Sequence, residues 1–243
     1  MGTATVIPTA TAIITIMIDV QTALKLQSWF SPAFPVGAFS YSHGLEPAID
    51  AGVVKDRETL IAWLETLLAS GSGRIDARFF AAGWRTAPDA DAAAALSAEA
   101  AAWVPTAELL LEAERQGEAF LRTVNAGWPH PALDALESAL TGRPIFSVAA
   151  GLAAAAHGAP LDLALPLFLQ AFAANVVSAG VRLIPLGQTD GQIATARLES
   201  AVAAAASAAL ADDGGLDDLW TATPAHDIYS MRHETQYARI FRS

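Results

Sequence analysis

The chain has 243 residues, a hydrophobic content of 53% and a net charge of −11, which is enough apolar sequence for one substantial core. The acidic balance argues against a nucleic-acid-binding protein, because phosphate affinity needs clustered Lys and Arg, and Lys25 and Lys55 are the only lysines. The absence of cysteine excludes disulfides, thiolate metal sites and a thiol nucleophile, and it fits a cytoplasmic protein.

Alanine and leucine dominate the sequence, which favours helices over strands. We therefore predict an all-α fold, a single-domain bundle of several helices with one long buried apolar helix. Residues 1–20 are expected to be a poorly ordered N-terminal extension without the leading Lys or Arg of a signal peptide. Residues 21–243 are expected to form the helical domain, of which residues 211–243 are a linker followed by a C-terminal docking tail.

The first distinctive segment, residues 32–46 (PAFPVGAFSYSHGLE), predicts a rigid loop that runs directly into a polar and aromatic helix start. Its prolines fix φ, and Gly37 permits a turn that most residues resist. Asp56 is placed to cap the next helix, and Thr189 begins a capping-box pattern further along. Later helices are expected at about 74–85, 90–103, 106–125, 132–141, 145–157, 163–181 and 189–210.

Residues 163–181 form an uncharged apolar run that is long enough to cross a bilayer. Polar residues and a proline interrupt this run, at Pro166, Gln170, Asn175 and Ser178. We therefore predict a buried core helix, and an integral membrane protein that spans at residues 163–181 is the alternative.

Few side chains in the sequence suggest chemistry. No glycine-rich phosphate loop precedes a lysine, which argues against a nucleotide hydrolase. Ser42 beside His43 leaves a helical hydrolase as an alternative, although neighbours on a helix point in different directions. His43 and Glu46, at i and i+3, fit a hydrogen-bonded pair or a two-ligand contribution to an intersubunit metal site. We predict no catalytic residue, no cofactor and no metal site.

The last residues of the chain reverse its acidic character, because Arg232, Arg239 and Arg242 outweigh Glu234. If this segment is helical, its aromatic and apolar side chains fall on one stripe, formed by Tyr229, His233, Tyr237, Ile240 and Phe241. Disordered tails are poor in aromatics, whereas Tyr and Arg dominate binding hot spots. We therefore predict a docking element that orders when a partner binds.

Two motifs near opposite ends of the chain, residues 35–46 (PVGAFSYSHGLE) and 230–243 (SMRHETQYARIFRS), together resemble the UreF family of urease accessory proteins. The resemblance implies an all-helical homodimer without catalytic activity that helps to load nickel into urease. It further implies that the chain binds UreD, also called UreH, and that this complex recruits the GTPase UreG and docks on apo-urease. We expect neither nucleic acid nor a membrane as a partner, because of the net charge and the polar residues in the apolar run.

The resemblance also assigns roles to the two motifs. It places the UreD interface at residues 231–243, and it places an interface or a passage for the ion at residues 35–46. The partner-binding residues that we predict on this basis are Arg232, His233, Glu234, Gln236, Tyr237, Arg239, Phe241 and Arg242 in the second motif, and Ser40, Tyr41, His43 and Glu46 in the first.

Overall fold

A computed structural model describes residues 19–140, 144–211 and 215–243, and in these ranges the chain forms eleven α-helices, a short 3-10 turn at Ala38–Ser40 and no strand. This confirms the predicted all-α fold. The helices are α1 (Val20–Trp29), α2 (Leu45–Asp50), α3 (Arg57–Ser70), α4 (Ser72–Thr86), α5 (Ala90–Ala102), α6 (Ala107–Gly127), α7 (Pro131–Ala139), α8 (Phe146–Ala156), α9 (Leu161–Leu183), α10 (Gln188–Ala211) and α11 (Pro224–His233). Residues 1–18 of the predicted extension and 212–214 of the predicted linker lie outside the described residues.

Local capping explains where several helices begin. The Asp56 carboxylate accepts the Thr59 N–H at 2.8 Å, and the Thr59 hydroxyl accepts the Asp56 N–H at 3.1 Å, so Asp56 caps α3 as predicted. The capping box predicted at Thr189 is wrong, because α10 already begins at Gln188 and Thr189 lies in its first turn. There the Asp190 carboxylate accepts the N–H of the residue before the helix, at 3.4 Å.

The centre of the bundle is the crossing of α4 and α8, where glycine brings two backbones into contact. A Cβ added to Gly151 would lie 2.1 Å from the carbonyl oxygen of Phe80, and one added to Gly83 would lie 2.8 Å from that of Val148. Any larger side chain at either glycine would force the helices apart. The core therefore depends on glycine at both positions.

The long apolar helix α9 lies in the middle of the protein. Nine of its residues are buried, and it packs against α10, α4 and α8. Among the described residues, α9 and α10 are each long and apolar enough to cross a membrane by length and composition, but half of the most apolar window of α9 is buried inside the bundle. This burial is typical of a core helix, and it favours that interpretation over the membrane-spanning alternative.

An irregular strap, residues 215–223, carries the chain across α3 and α4 to α11. Arg78 on α4 donates to the Asp218 carboxylate at 2.8 Å, and the guanidinium of Arg74 lies 4.2 Å from the ring centroid of Trp220. The N–H of Ala222 donates to the carbonyl of Ser70 at 2.8 Å. The strap thereby positions α11 beside α2 and α6, where the two sequence motifs meet.

Candidate functional site

The first motif is a loop, and the predicted helix start is wrong. Gly37, His43 and Gly44 have φ angles of 76°, 56° and 75°, all in the left-handed region, and α2 begins only at Leu45. Consecutive left-handed residues cannot continue a right-handed helix. Residues 37–44 are called the motif loop below.

The second motif is helical only as far as His233, so the predicted stripe of aromatic residues does not exist as one helical face. Residues 234–243, called the terminal segment below, turn back over α2 and α6. They pack on the chain's own body without a partner, which corrects the expectation that this segment orders only on binding. Phe241 is buried, whereas Tyr237 is fully exposed and Ile240 is 72% exposed.

The motif loop and the terminal segment are joined by backbone hydrogen bonds. The N–H of Ser42 donates to the carbonyl of Ser243 at 2.9 Å, and the hydroxyl of Ser42 donates to the same oxygen. In the other direction, the N–H of Arg242 donates to the carbonyl of Ser40 at 2.9 Å. The two motifs that bracket the sequence therefore form one surface in the fold.

Glu46 holds the terminal segment from the side of α2. Its buried carboxylate accepts the N–H of Ile240 at 2.8 Å and that of Phe241 at 3.0 Å. It also lies 3.4 Å from Nε2 of His233, which is fully buried. The carboxylate thus satisfies backbone groups that no helix or sheet supplies with partners.

Glu108 on α6 continues this network on the outer side. It lies 2.6 Å from Nδ1 of His233, and it accepts from the Arg239 guanidinium at 2.8 Å. Each ring nitrogen of His233 therefore faces a carboxylate, one on α2 and one on α6. This arrangement ties α11 and the terminal segment to both helices.

His43 carries the network into the interior. Its Nε2 lies 2.8 Å from the hydroxyl of Ser72, and its Nδ1 lies 3.5 Å from Glu112 on α6. Burial alone would lower the pKa of His43, but the charges of nearby Glu112, Asp76 and Asp227 raise it above 6.5 overall. Glu112 also accepts from Gln116 and from the Ser243 hydroxyl.

A cavity of about 70 Å³ lies beside His43. Burial raises the pKa of Asp76, on its wall, to about 6, and burial raises that of Asp227 as well. The described residues contain no group of three or more side chains placed to hold a metal ion. His43 and Glu46 do not act as a pair, because His43 faces α4 and α6 while Glu46 faces the terminal segment.

A groove of about 610 Å³ opens on the surface between the motif loop and α6. Its lining combines apolar and basic groups with one acid, and consists of Val36, Gly37, Phe39, Ser40, Tyr41, Glu108, Leu111, Arg115 and Arg242. Phe39 is 68% exposed at its edge. The groove adjoins the terminal segment, since Arg242 belongs to both.

The structure brings most of the predicted site residues together. Nine of them lie in the motif loop, on α2, at the end of α11 or in the terminal segment: Ser40, Tyr41, His43, Glu46, His233, Gln236, Arg239, Phe241 and Arg242. Gln236 donates to the Asp50 carboxylate at the end of α2 at 2.6 Å, and the contacts above place the other eight. Tyr237 and Glu234 are exposed, and Arg232 is exposed with its guanidinium 5.3 Å from the Tyr229 ring. Their role in partner binding remains a prediction.

Sequence reasoning missed the contribution of α6. Glu108, Glu112 and Gln116 recur at four-residue spacing on this helix, and Glu112 and Gln116 are buried. A stripe of carboxylates and an amide inside an otherwise amphipathic helix is the sequence pattern that could have indicated it. Asp76 on α4 was missed for a different reason, because it is a single acid without a pattern.

Comparison with known proteins supports the resemblance to the UreF family. A sequence model of the UreF family matches residues 54–199. The chain is 47% identical over 221 residues to the urease accessory protein UreF of Bradyrhizobium diazoefficiens, and 49% identical over 222 residues to that of Xanthobacter autotrophicus, with 90% of each chain covered. It is 48% identical over 221 residues to UreF of Rhodopseudomonas palustris, again with 90% of both chains covered. The chain therefore belongs to the UreF family of urease accessory proteins.

Proposed function

We propose that this protein is a non-catalytic scaffold of urease maturation that acts in the cytoplasm as a homodimer. In this role it binds UreD (UreH) and recruits or regulates the GTPase UreG, so that nickel is inserted into apo-urease. Family membership over 90% of the chain supports the maturation role. The choice of binding surface is supported by one structural observation, the outward presentation of the terminal segment.

The terminal segment turns its backbone inward and a set of side chains outward. Glu46 and Ser42 hold the backbone of residues 240–243, while Tyr237 and Ile240 project into solvent. Because the segment is already fixed, a partner that binds it does not have to order it first, which lowers the entropic cost of association. Tyr and Arg are the side chain types that most often dominate binding energy at interfaces.

The charges of this surface indicate the chemistry of the partner. Arg115 and Arg242 line the groove, and Arg239 lies beside it with its side chain 41% exposed, in a protein whose net charge is −11. Guanidinium groups bind carboxylates in bidentate geometry. The partner surface is therefore expected to combine carboxylates with an apolar patch for Phe39 and Ile240.

The hydrolase alternative finds little support in the contacts. The hydroxyl of Ser42 donates to the Ser243 carbonyl, and the imidazole of His43 contacts Ser72 and Glu112 instead of Ser42. This Ser72–His43–Glu112 order resembles a nucleophile, base and acid. However, the adjacent cavity of about 70 Å³ is small beside the ~300–1,000 Å³ of substrate pockets. The contacts support a structural role for this group.

The binding surface is tested by exchanging exposed side chains only. A Tyr237→Ala/Ile240→Ala double variant is expected to reduce co-purification of UreD by at least about tenfold, because anchor residues typically contribute ~2 kcal/mol or more each. Removal of residues 231–243 is a poorer test, because it would also leave Glu46 without its backbone partners.

The control is Leu24→Ala on α1, which removes an exposed apolar side chain from another surface. It should leave co-purification unchanged. If the double variant retains UreD as well as the control does, the terminal segment is not the UreD-binding surface.

A further inference from the structure

The backbone of His43 adopts an uncommon conformation. Its φ of 56° lies in the left-handed region, which is uncommon for a residue with a side chain and persists where surrounding contacts fix it. The contacts come from several sides: Ser72 at 2.8 Å, Glu112 at 3.5 Å, and the ring of Phe172 at a centroid distance of 5.1 Å. Contacts from α4, α6 and α9 therefore hold this imidazole in place.

Carboxylates from three helices face this imidazole. Glu112 belongs to α6, Asp76 to α4 and Asp227 to α11, and each favours the protonated ring. A second imidazole, His226, lies on the same cavity, and its pKa is lowered, mainly by burial. Among the described groups that line this cavity, His43 is thus the one whose positive charge can offset the negative charges of the buried acids.

The same acid that contacts His43 also holds the end of the terminal segment. One Glu112 oxygen lies 3.5 Å from Nδ1 of His43, and the other accepts the Ser243 hydroxyl at 2.5 Å. Ser243 is fully buried and in turn accepts from Ser42, the neighbour of His43. Docking of the terminal segment thus encloses Glu112, and enclosing an anion without a cation is costly.

We propose that protonated His43 is a latch for the terminal segment, so that docking of residues 240–243 weakens when this imidazole loses its proton. Docking that encloses Glu112 favours the protonated ring, so the contribution of His43 to docking is present at lower pH and is lost as pH rises through its raised pKa. The latch is therefore closed at mildly acidic pH and loosened at alkaline pH.

Hydrogen exchange of the full chain tests the latch without any partner. The amides of Ile240, Phe241 and Arg242 donate to Glu46 and Ser40, so their protection reports docking directly. After correction for intrinsic exchange rates, the protection of these amides should fall as pH rises. The fall should be about tenfold per pH unit over the interval between the pKa of His43 in the opened state and its pKa in the docked state. Protection that stays constant between pH 6 and 9 would overturn the proposal.

A His43→Asn variant identifies the group responsible, since asparagine tolerates the left-handed conformation but does not titrate. It should show low protection of these three amides at every pH. The control His226→Gln should keep the pH dependence of the unaltered chain. The proposal is wrong if His43→Asn retains that dependence.

A second measurement needs no variant. Nuclear magnetic resonance of the five histidine rings should show the His43 ring titrating above pH 6.5, with the same midpoint as the loss of amide protection. If the midpoint of the His43 titration differs from that of the loss of amide protection, ionisation of His43 does not control docking and the proposal is wrong. Because neither readout involves UreD or UreG, the latch and the proposed function can fail independently.

Discussion

At the scale of single residues, Glu46 has an unusual task. Its carboxylate accepts two consecutive backbone N–H groups, of Ile240 and Phe241, in a segment that forms no helix or sheet. Buried N–H groups need acceptors, and an ionised carboxylate is a stronger acceptor than a neutral oxygen. Glu46 therefore supplies the acceptors that a helix or sheet would otherwise provide for these N–H groups.

A Glu46→Gln substitution should lower the free energy of unfolding by about 1–3 kcal/mol, because the amide NH₂ group would face a backbone donor in place of an acceptor. Urea denaturation measures this change. The control Glu99→Gln, at an exposed position of α5, should stay within about 0.5 kcal/mol of the unaltered chain. Equal stabilities of the two variants would show that Glu46 does not hold the segment.

Single residues also show which features a sequence reveals. The capping of α3 by Asp56 was predictable because both partners lie within four positions. The left-handed His43 was not, because its conformation depends on Ser72, Glu112 and Phe172, which are distant in the sequence. Local hydrogen bonds leave a local pattern, whereas tertiary ones do not.

At the scale of helices, the crossing of α4 and α8 decides how closely the core packs. The close backbone contacts of this crossing occur at Gly83 and Gly151, where an added Cβ would lie 2.8 Å and 2.1 Å from a facing carbonyl oxygen. In a helix, glycine is less favourable than alanine by about 1 kcal/mol. Its presence here is explained by the space that it leaves for the facing carbonyl groups.

Gly151→Ala should therefore destabilise the protein by at least about 1–3 kcal/mol, since the new methyl group would overlap the Phe80 carbonyl. The matched control is Gly127→Ala at the exposed end of α6, where an added Cβ meets nothing within 4 Å. The control should be neutral or stabilising by up to about 1 kcal/mol. Urea midpoints distinguish the two, and a neutral Gly151→Ala would contradict the described crossing.

The ends of helices were predictable where proline, glycine or a capping residue marks them. The boundaries of α4 to α10 agree with the sequence prediction to within about two residues for this reason. The end of α11 was not predictable, because His233 stops the helix while it contacts Glu46 and Glu108 on two other helices. The aromatic stripe predicted beyond His233 is wrong because the helix ends at that residue.

For the molecule as a whole, Asp76 adds an unusual pH dependence to stability. Its pKa rises from the usual 3.8 to about 6 on folding, mainly through burial. Between these two values the folded chain binds more protons than the unfolded chain, so this group makes stability fall as pH rises from about 4 to 6. Exposed acids with lowered pKa values, such as Asp56 and Asp218, act in the opposite direction.

The free energy of unfolding of the Asp76→Asn variant, measured at a series of pH values, should not show the decrease that Asp76 causes between pH 4 and 6. The difference from the unaltered chain is expected to change by up to about 3 kcal/mol between pH 4 and 6, which corresponds to the shift in pKa. Asp217→Asn, at an exposed position of the strap, serves as the control and should run parallel to the unaltered chain. Parallel curves for Asp76→Asn would mean that this carboxyl titrates normally.

The contact between the motif loop and the terminal segment also bears on how the chain folds. Ser42 and Ser243 are 201 positions apart, and Glu46 and Phe241 are 195 apart. Contacts at such separation form slowly, because the entropy of closing the intervening chain is lost before they stabilise anything. We therefore expect the local contact between α3 and α4 to form early and the hydrogen bonds of the motif loop to form late. During synthesis, a nascent chain can therefore hold a nearly complete helical core while Ser42 and Glu46 are still solvated.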